Sequence, residues 1–308
     1  METKCNLIID SCCDLPHEVI ERDDVYLLEF PYLDSTGEHS DDLYQTRTAH
    51  DFYESMRNGE EPHTAQIPIP SLRAAFTWAH EQGKPAVYLA FTSGLSGTYD
   101  TTALLLEQMR DEIPDLDVHL IDTKLASIAE AFIVYEALRQ LDRGLTADEL
   151  VAWVTEARHF VDEQFMVEDL ESLRRGGRIP SSVAFAGSKL DVKPLLTIDD
   201  DGKLALAGVA RGRKKGIKAL VDYYLKRRDS DAPGQTVVVG NADCPKDAAR
   251  LVEYITKLDD SVMFLECEIG PVIGSHVGPG MLALVSWGQD SREDLSMADR
   301  IANKVRGR

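Results

Sequence analysis

The stretch Thr92-Ser93-Gly94-Leu95-Ser96-Gly97-Thr98-Tyr99 puts several hydroxyls on a glycine-rich turn, between an apolar strand signal and a helical one. Ser93, Ser96 and Thr98 are there as candidate donors to an anion. A helix N-terminus adds unpaired backbone N–H groups and the positive end of its dipole, and Gly97 lets the main chain come close to a ligand. Two other roles stand open for Ser96. One is a plain helix cap. The other is a nucleophile: Gly94-Leu95-Ser96-Gly97-Thr98 approaches the G-x-S-x-G elbow, with Thr98 in place of the last glycine. The chain order Ser96, then Asp122 or Asp169, then His276 is that of α/β-hydrolases, although no HGGG-like oxyanion segment precedes it.

Other segments offer complementary groups. His63-Thr64-Ala65-Gln66-Ile67-Pro68 places the Thr64 hydroxyl ahead of a proline-rich turn, as a second donor or as an ordinary turn residue. GPVIGSHVGPG (270–280) surrounds Ser275 and His276 with glycines and prolines, which suggests that the main chain approaches something closely. LRRGGR (173–178) and RGRKKGIK (211–218) are basic, and Arg175 and Arg178 are candidates to bind an anion or an acidic partner. Nucleotide and zinc motifs of the GxxxxGK[ST], GxGxxG and HExxH kinds do not occur.

The elements that must position these groups alternate. NLIID (6–10), VYLLEFPYLD (25–34), PAVYLAFT (85–92) and DVHLID (117–122) read as strands, and helical segments separate them. A helix over 71–82 takes Ser71 as its N-cap, and Thr146 with Glu149 forms a capping box. Strands and helices in this order predict parallel βαβ units with right-handed crossovers. From about Phe165 the pattern changes: KPLLTIDDDGKLALAGVARG reads as a hairpin turning at Asp-Asp-Gly, followed by alternating helices and strands to MLALVSWG. The expectation is an α/β protein of two lobes, 1–163 and 164–308, the first built on a mainly parallel sheet, with a ligand cleft between them.

Composition narrows the function classes. With 44% hydrophobic and 28% charged residues the chain is globular. A net charge of −20 repels nucleic acid and anionic membrane surfaces. No stretch approaches the ~20 apolar residues of a membrane helix, and METKCNLIIDS lacks an export-signal pattern. Five cysteines without a CxxC pair suggest reduced thiols and a cytoplasmic location, with the adjacent Cys12 and Cys13 read as loop or core residues ahead of a redox or metal role.

Taken together, DSCCDLP (10–16), HTAQIP (63–68), SGLSGTY (93–99), DLESLRRGGRI (169–179), KPLL (193–196), ARGRKKG (210–216) and GPVIGSHVGPG resemble the DegV family of fatty acid-binding proteins, in family order and over nearly the whole chain. The resemblance implies one long-chain fatty acid as the ligand and no further cofactor. Its tail would lie in a tunnel of the C-terminal lobe and its carboxylate at the interface of the lobes. By the same resemblance Thr64 and Ser96 hold the carboxylate, with His276 and Arg178 supporting the polar network. It implies a non-catalytic carrier that presents the acid to a bacterial fatty acid kinase, with Arg211 in the docking region. The family's TSQP is TAQI here, so Ala65 and Ile67 depart from the pattern. The competing readings are a serine hydrolase or thioesterase acting on acyl substrates, and a carrier of another lipid with no kinase partner.

Overall fold

The computed structural model describes residues 3–179, 191–228 and 235–293. Pro180, at the end of the basic glycine turn, Gly234, at the start of a predicted strand, and the end of the second lobe at 294–308 lie outside the described residues.

In chain order the first half comprises β1 (Asn6–Asp10), α1 (His17–Ile20), β2 (Val25–Leu28), β3 (Pro31–Asp34), β4 (Gly37–Ser40), α2 (Ala49–Arg57), β5 (His63–Thr64), α3 (Ile69–Glu81), β6 (Ala86–Ala90), α4 (Thr98–Glu112), β7 (Val118–Asp122), α5 (Ser127–Asp142) and α6 (Ala147–Ala157). The second comprises β8 (Val161–Met166), α7 (Glu171–Arg175), β9 (Val192–Ile198), β10 (Leu204–Arg211), α8 (Arg213–Arg227), β11 (Thr236–Asn241), α9 (Pro245–Thr256), β12 (Met263–Glu268), α10 (Pro271–Val277) and β13 (Leu282–Trp287).

Strands β2-β1-β6-β7 form a wholly parallel sheet. Their connections carry helices, as parallel pairing requires, so the expected mixed α/β architecture with a parallel N-terminal sheet is present. Both central strands are buried throughout and carry continuous apolar runs, NLIID and AVYLA, as strands covered on both faces should. The six-stranded sheet has the order β10-β9-β8-β13-β11-β12 and is antiparallel except for the β11–β12 pair. The Asp-Asp-Gly hairpin joins β9 to β10. Helix α5 is buried along nearly its whole length and packs on β8, β11 and β13.

Two local expectations need correction. The run 25–34 is not one strand. It breaks at Glu29 and Phe30, with β2 in the parallel sheet and β3 in a small antiparallel sheet, β4-β3-β5. The Phe30 N–H, free of any ladder, donates to Ser11 Oγ at 3.0 Å. Ser71 does not cap α3, which starts two residues earlier at Ile69 with Pro68 as its N-cap residue. Pro70 lies in the first turn, where its missing N–H costs nothing. The Thr146–Glu149 capping box forms as expected.

Candidate functional site

A cavity of about 210 Å³ opens between the two larger sheets. Holding one water needs only about 10–15 Å³ by that measure, so this is a ligand-sized space. Its wall is polar at one end, where Thr64, Gln66, Ser96, Arg178 and His276 converge, and is otherwise mainly hydrocarbon, including Phe30, Phe91, Phe165, Ile198, Leu204 and Met281. Thr64, Ser96 and Arg178 are half-buried and Gln66 is exposed, so the polar end meets solvent. Phe30, Phe165 and Met281 are buried.

Each polar group is set by a different segment. Thr64 ends β5, which pairs with β3, and its Oγ1 lies 2.8 Å from His276 Nε2 on α10. His276 Nδ1 is buried without a hydrogen-bond partner among the described residues. A buried N–H lacking an acceptor costs more than a buried lone pair lacking a donor, so the ring proton sits on Nε2 and is donated to Thr64 Oγ1. The threonine then keeps its own O–H for a ligand. Burial, with help from the neighbouring Arg178, lowers the His276 pKa from 6.5 to about 4, so the imidazole is neutral near pH 7. Gly176 makes this packing possible, because a Cβ there would strike His276 Nδ1.

Ser96 precedes Gly97, the N-cap residue of α4. Its Oγ accepts the Thr98 N–H at 3.2 Å and donates to Thr98 Oγ1 at 3.1 Å. The hydroxyl thus caps the helix start while lining the cavity. The positive end of a 15-residue helix therefore meets the cavity wall, a favourable place for an anion. Arg178 donates through Nε to Leu95 O at 3.2 Å and through Nη1 to Gly176 O at 2.6 Å. Both acceptors are carbonyls, and among the described residues Arg178 has no carboxylate partner. Its charge is thus left for a ligand.

The remaining predicted residues are placed as follows. Gly97 lines the cavity, and an added Cβ would come within 2.5 Å of Gln66 Nε2. Ser93 faces away from this wall: its Oγ accepts from Lys124 Nζ at 2.7 Å. Thr98 is buried behind Ser96. Ser275 lines a small recess on the far side of the Thr64–His276 pair and donates to Pro271 O at 2.6 Å. Arg175 borders the same recess and pairs with Glu61 at 3.0 Å. Arg211 is exposed at the end of β10.

The hydrolase constellation does not assemble. His276 Nε2 engages Thr64, while Ser96 donates to Thr98. Asp122 pairs with Lys124 at 2.7 Å, and Asp169 accepts the Glu171 N–H.

The family model described as "Uncharacterised protein, DegV family" matches residues 4–288. The chain belongs to the DegV family. A DegV domain-containing protein of Clostridium perfringens is 36% identical over 288 residues, covering 93% of this chain and 98% of that one. A DegV family protein of Thermus thermophilus, whose structure is described in terms of fatty acid binding, is 27% identical with a TM-score of 0.79, covering 93% and 100% of the two chains. The DegV of Bacillus subtilis, described as a fatty acid binding protein, is 25% identical with a TM-score of 0.80, covering 94% and 100%.

In this DegV chain the DSCCDLP segment forms the rear support of the cavity. Asp10 accepts the Phe91 and Cys12 N–H groups and the Tyr88 hydroxyl, and Asp14 accepts Gly270 N–H at 2.8 Å and Ser127 Oγ at 2.5 Å. Burial raises both carboxyls from 3.8 to about 7. Cys12 lines the cavity, and both Cys12 and Cys13 are buried with thiol pKa values raised well above the ordinary range, so they pack as small apolar groups. Ile67, the departure from the family's proline, is buried in the core, and Ala65 lines the cavity mouth. Among the described residues no group of three or more His, Cys, Asp or Glu side chains could hold a metal ion, and no helix is long and apolar enough to cross a membrane.

Gln66 and Glu163 line the cavity without having been expected to. The signal for Gln66 lay in its place beside Thr64 in a rigid turn. VDEQFM gives no signal for Glu163, since a polar residue in a short strand ordinarily faces water.

Proposed function

We propose that this protein carries one long-chain fatty acid and has no chemistry of its own. The observation that carries this reading is the cavity itself, a mainly hydrocarbon space ending in hydroxyl donors and an arginine with no acid partner among the described residues. Burying a C16–C18 tail contributes roughly 0.8 kcal/mol per CH₂. The carboxylate needs donors to replace its water, since an unpaired buried charge would be very costly. Thr64, Ser96 and Arg178 supply them, with His276 holding Thr64 in place. Gly97 and Thr98 shape the helix start, and Ser275 and Ser93 buttress the neighbouring turns. The tail runs on along Phe165, Leu204 and Ile198 of a second lobe that begins near residue 164.

The half-exposed polar end leaves the carboxylate reachable from outside, as a carrier that hands its acid to a separate kinase in the bacterial cytoplasm requires. The phosphoryl chemistry then belongs to the partner, with the exposed Arg211, and Arg175 beside the polar end, on the docking side. The relatives described as fatty acid-binding support the ligand class. The engagement of His276 with Thr64, and of Ser96 with Thr98, argues against the hydrolase.

Mass spectrometry of organic extracts from the purified protein tests the reading. One long-chain fatty acid per chain is expected. Purification from a lipid-containing cell with no recoverable fatty acid would overturn it.

A further inference from the structure

Among the described residues Glu163 is the one acidic side chain in the wall of the cavity. It lies on β8, two residues from Phe165, and alternation along the strand turns both to the same face. Around it the wall contains Ile128, Phe165, Ile198, Leu204 and Ala283. The residue is 7% exposed. Among the described residues its Oε1 has no hydrogen-bond partner, and the Ile198 backbone N–H is the hydrogen bond offered to its carboxyl. Burial raises its pKa to about 8, so at neutral pH the group is a carboxylic acid with an O–H to donate and an oxygen able to accept. Glu163 also borders a second recess whose wall includes Arg158 and Thr197, yet neither side chain bonds its Oε1, and a buried polar group costs stability unless something satisfies it. Among the described residues nothing satisfies Oε1, and a saturated alkyl tail offers it nothing.

We propose that Glu163 is a second polar subsite, which reads an oxygen substituent on the acyl tail, so that the preferred occupant is a hydroxy or oxo long-chain fatty acid. This rests on the fatty acid-binding reading and sharpens it. The head group selects any carboxylate, and Glu163 selects a chain that carries a hydrogen-bonding group at the depth of β8. The hydroxyl pairs with the acid and relieves the orphaned oxygen, whereas a plain chain leaves it unpaired.

The test is the affinity of delipidated protein for stearate and for a panel of monohydroxystearates with the hydroxyl at successive carbons from 9 to 18. At least one member of the panel is expected to bind about fivefold or more tighter than stearate, in line with one satisfied buried hydrogen bond. Glu163→Leu should abolish that preference and bind stearate at least as tightly as the wild type, while Glu163→Gln, whose amide still donates, should keep part of it. Tight stearate binding by the wild type with no preferred hydroxystearate would overturn the subsite and leave the carrier reading standing. A preference that survives Glu163→Leu would also overturn it. Failure of the wild type to bind any member of the series would remove both.

Discussion

Thr64 and His276 stand 2.8 Å apart, oxygen to ring nitrogen, and tie the end of β5 to α10 across 212 residues of chain. The imidazole is held neutral, and its proton is used in fixing the threonine. On the proposed carrier reading, His276 is a positioning residue and Thr64 the ligand contact. Thr64→Val should weaken stearate binding about five- to tenfold, equivalent to about 1–1.5 kcal/mol, and Thr64→Ser should recover most of it. His276→Phe should lose a similar amount, because the threonine hydroxyl is then free to turn away. Displacement of a fluorescent fatty acid measures all three. Full affinity in His276→Phe would show that the pair is merely structural.

Ser96→Ala removes a cavity hydroxyl, which on the carrier reading turns its proton from Thr98 Oγ1 to the carboxylate, and the acceptor of the Thr98 N–H. Head-group affinity should fall about fivefold and stability by about 1 kcal/mol, as for loss of a helix cap. Wild type and variant should be equally inert towards p-nitrophenyl acyl esters. Enzymatic turnover by the wild type that vanishes in the variant would restore the hydrolase.

Gly176→Ala separates steric fit from backbone strain. Gly176 has φ −70°, which any residue adopts, so the main cost is the new methyl against the His276 ring, with the Ser172 carbonyl also close at 3.3 Å. Overpacking of this kind costs about 1–3 kcal/mol, and fatty acid affinity should fall with it. Its neighbour Gly177 has φ +69° and open space around it. Gly177→Ala should cost about 1 kcal/mol through the backbone and leave affinity unchanged. Thermal melts with parallel binding assays distinguish the two.

Stability should fall as pH rises above neutrality. Asp10 and Asp14 have folded-state values of about 7, and Glu163 about 8, against ordinary values of 3.8 and 4.5. Between about pH 4 and 8 these groups bind more protons folded than unfolded, so their contribution is present at low pH and is lost as pH rises through that window. His276 acts in the opposite sense: lowered to about 4, it contributes fully above pH 6.5 and loses its contribution as pH falls towards 4. Above 6.5 only the acids remain, and the melting temperature should drop by about 5–10 °C between pH 6.5 and 8.5, corresponding to a few kcal/mol. A melting temperature that rises across that interval would contradict the assignment of these carboxyls as neutral.

The first half of the fold was legible because local signals agreed: alternating apolar strands and amphipathic helices, and the Thr146 capping box; in the second half the Asp-Asp-Gly hairpin was equally plain. What was not legible depends on partners distant in sequence. Nothing in VYLLEFPYLD says that Phe30 leaves one sheet for another, since the break is set by Ser11 from a neighbouring turn. Likewise β8 pairs with β13, about 120 residues away, and this pairing is part of what turns Glu163 inward. Ser71 was misplaced as a cap because Pro68 and Pro70 start the helix earlier. Thr64, Ser96, Arg178 and His276 could be named from their motifs, but that histidine serves threonine, and not serine, emerges only from the packing of α10.

The cavity wall draws on segments from Cys12 to Ala283, in both larger sheets. Lipid in that space would act as a missing piece of the protein interior, and a loaded chain would resist opening more than an empty one. At a free ligand concentration a hundred times Kd the difference is about 2.7 kcal/mol, which makes the open, protease-sensitive form roughly a hundredfold rarer. The lifetime of each molecule would then depend on whether it is carrying cargo, and the amount of carrier would follow the supply of lipid without any change in its synthesis.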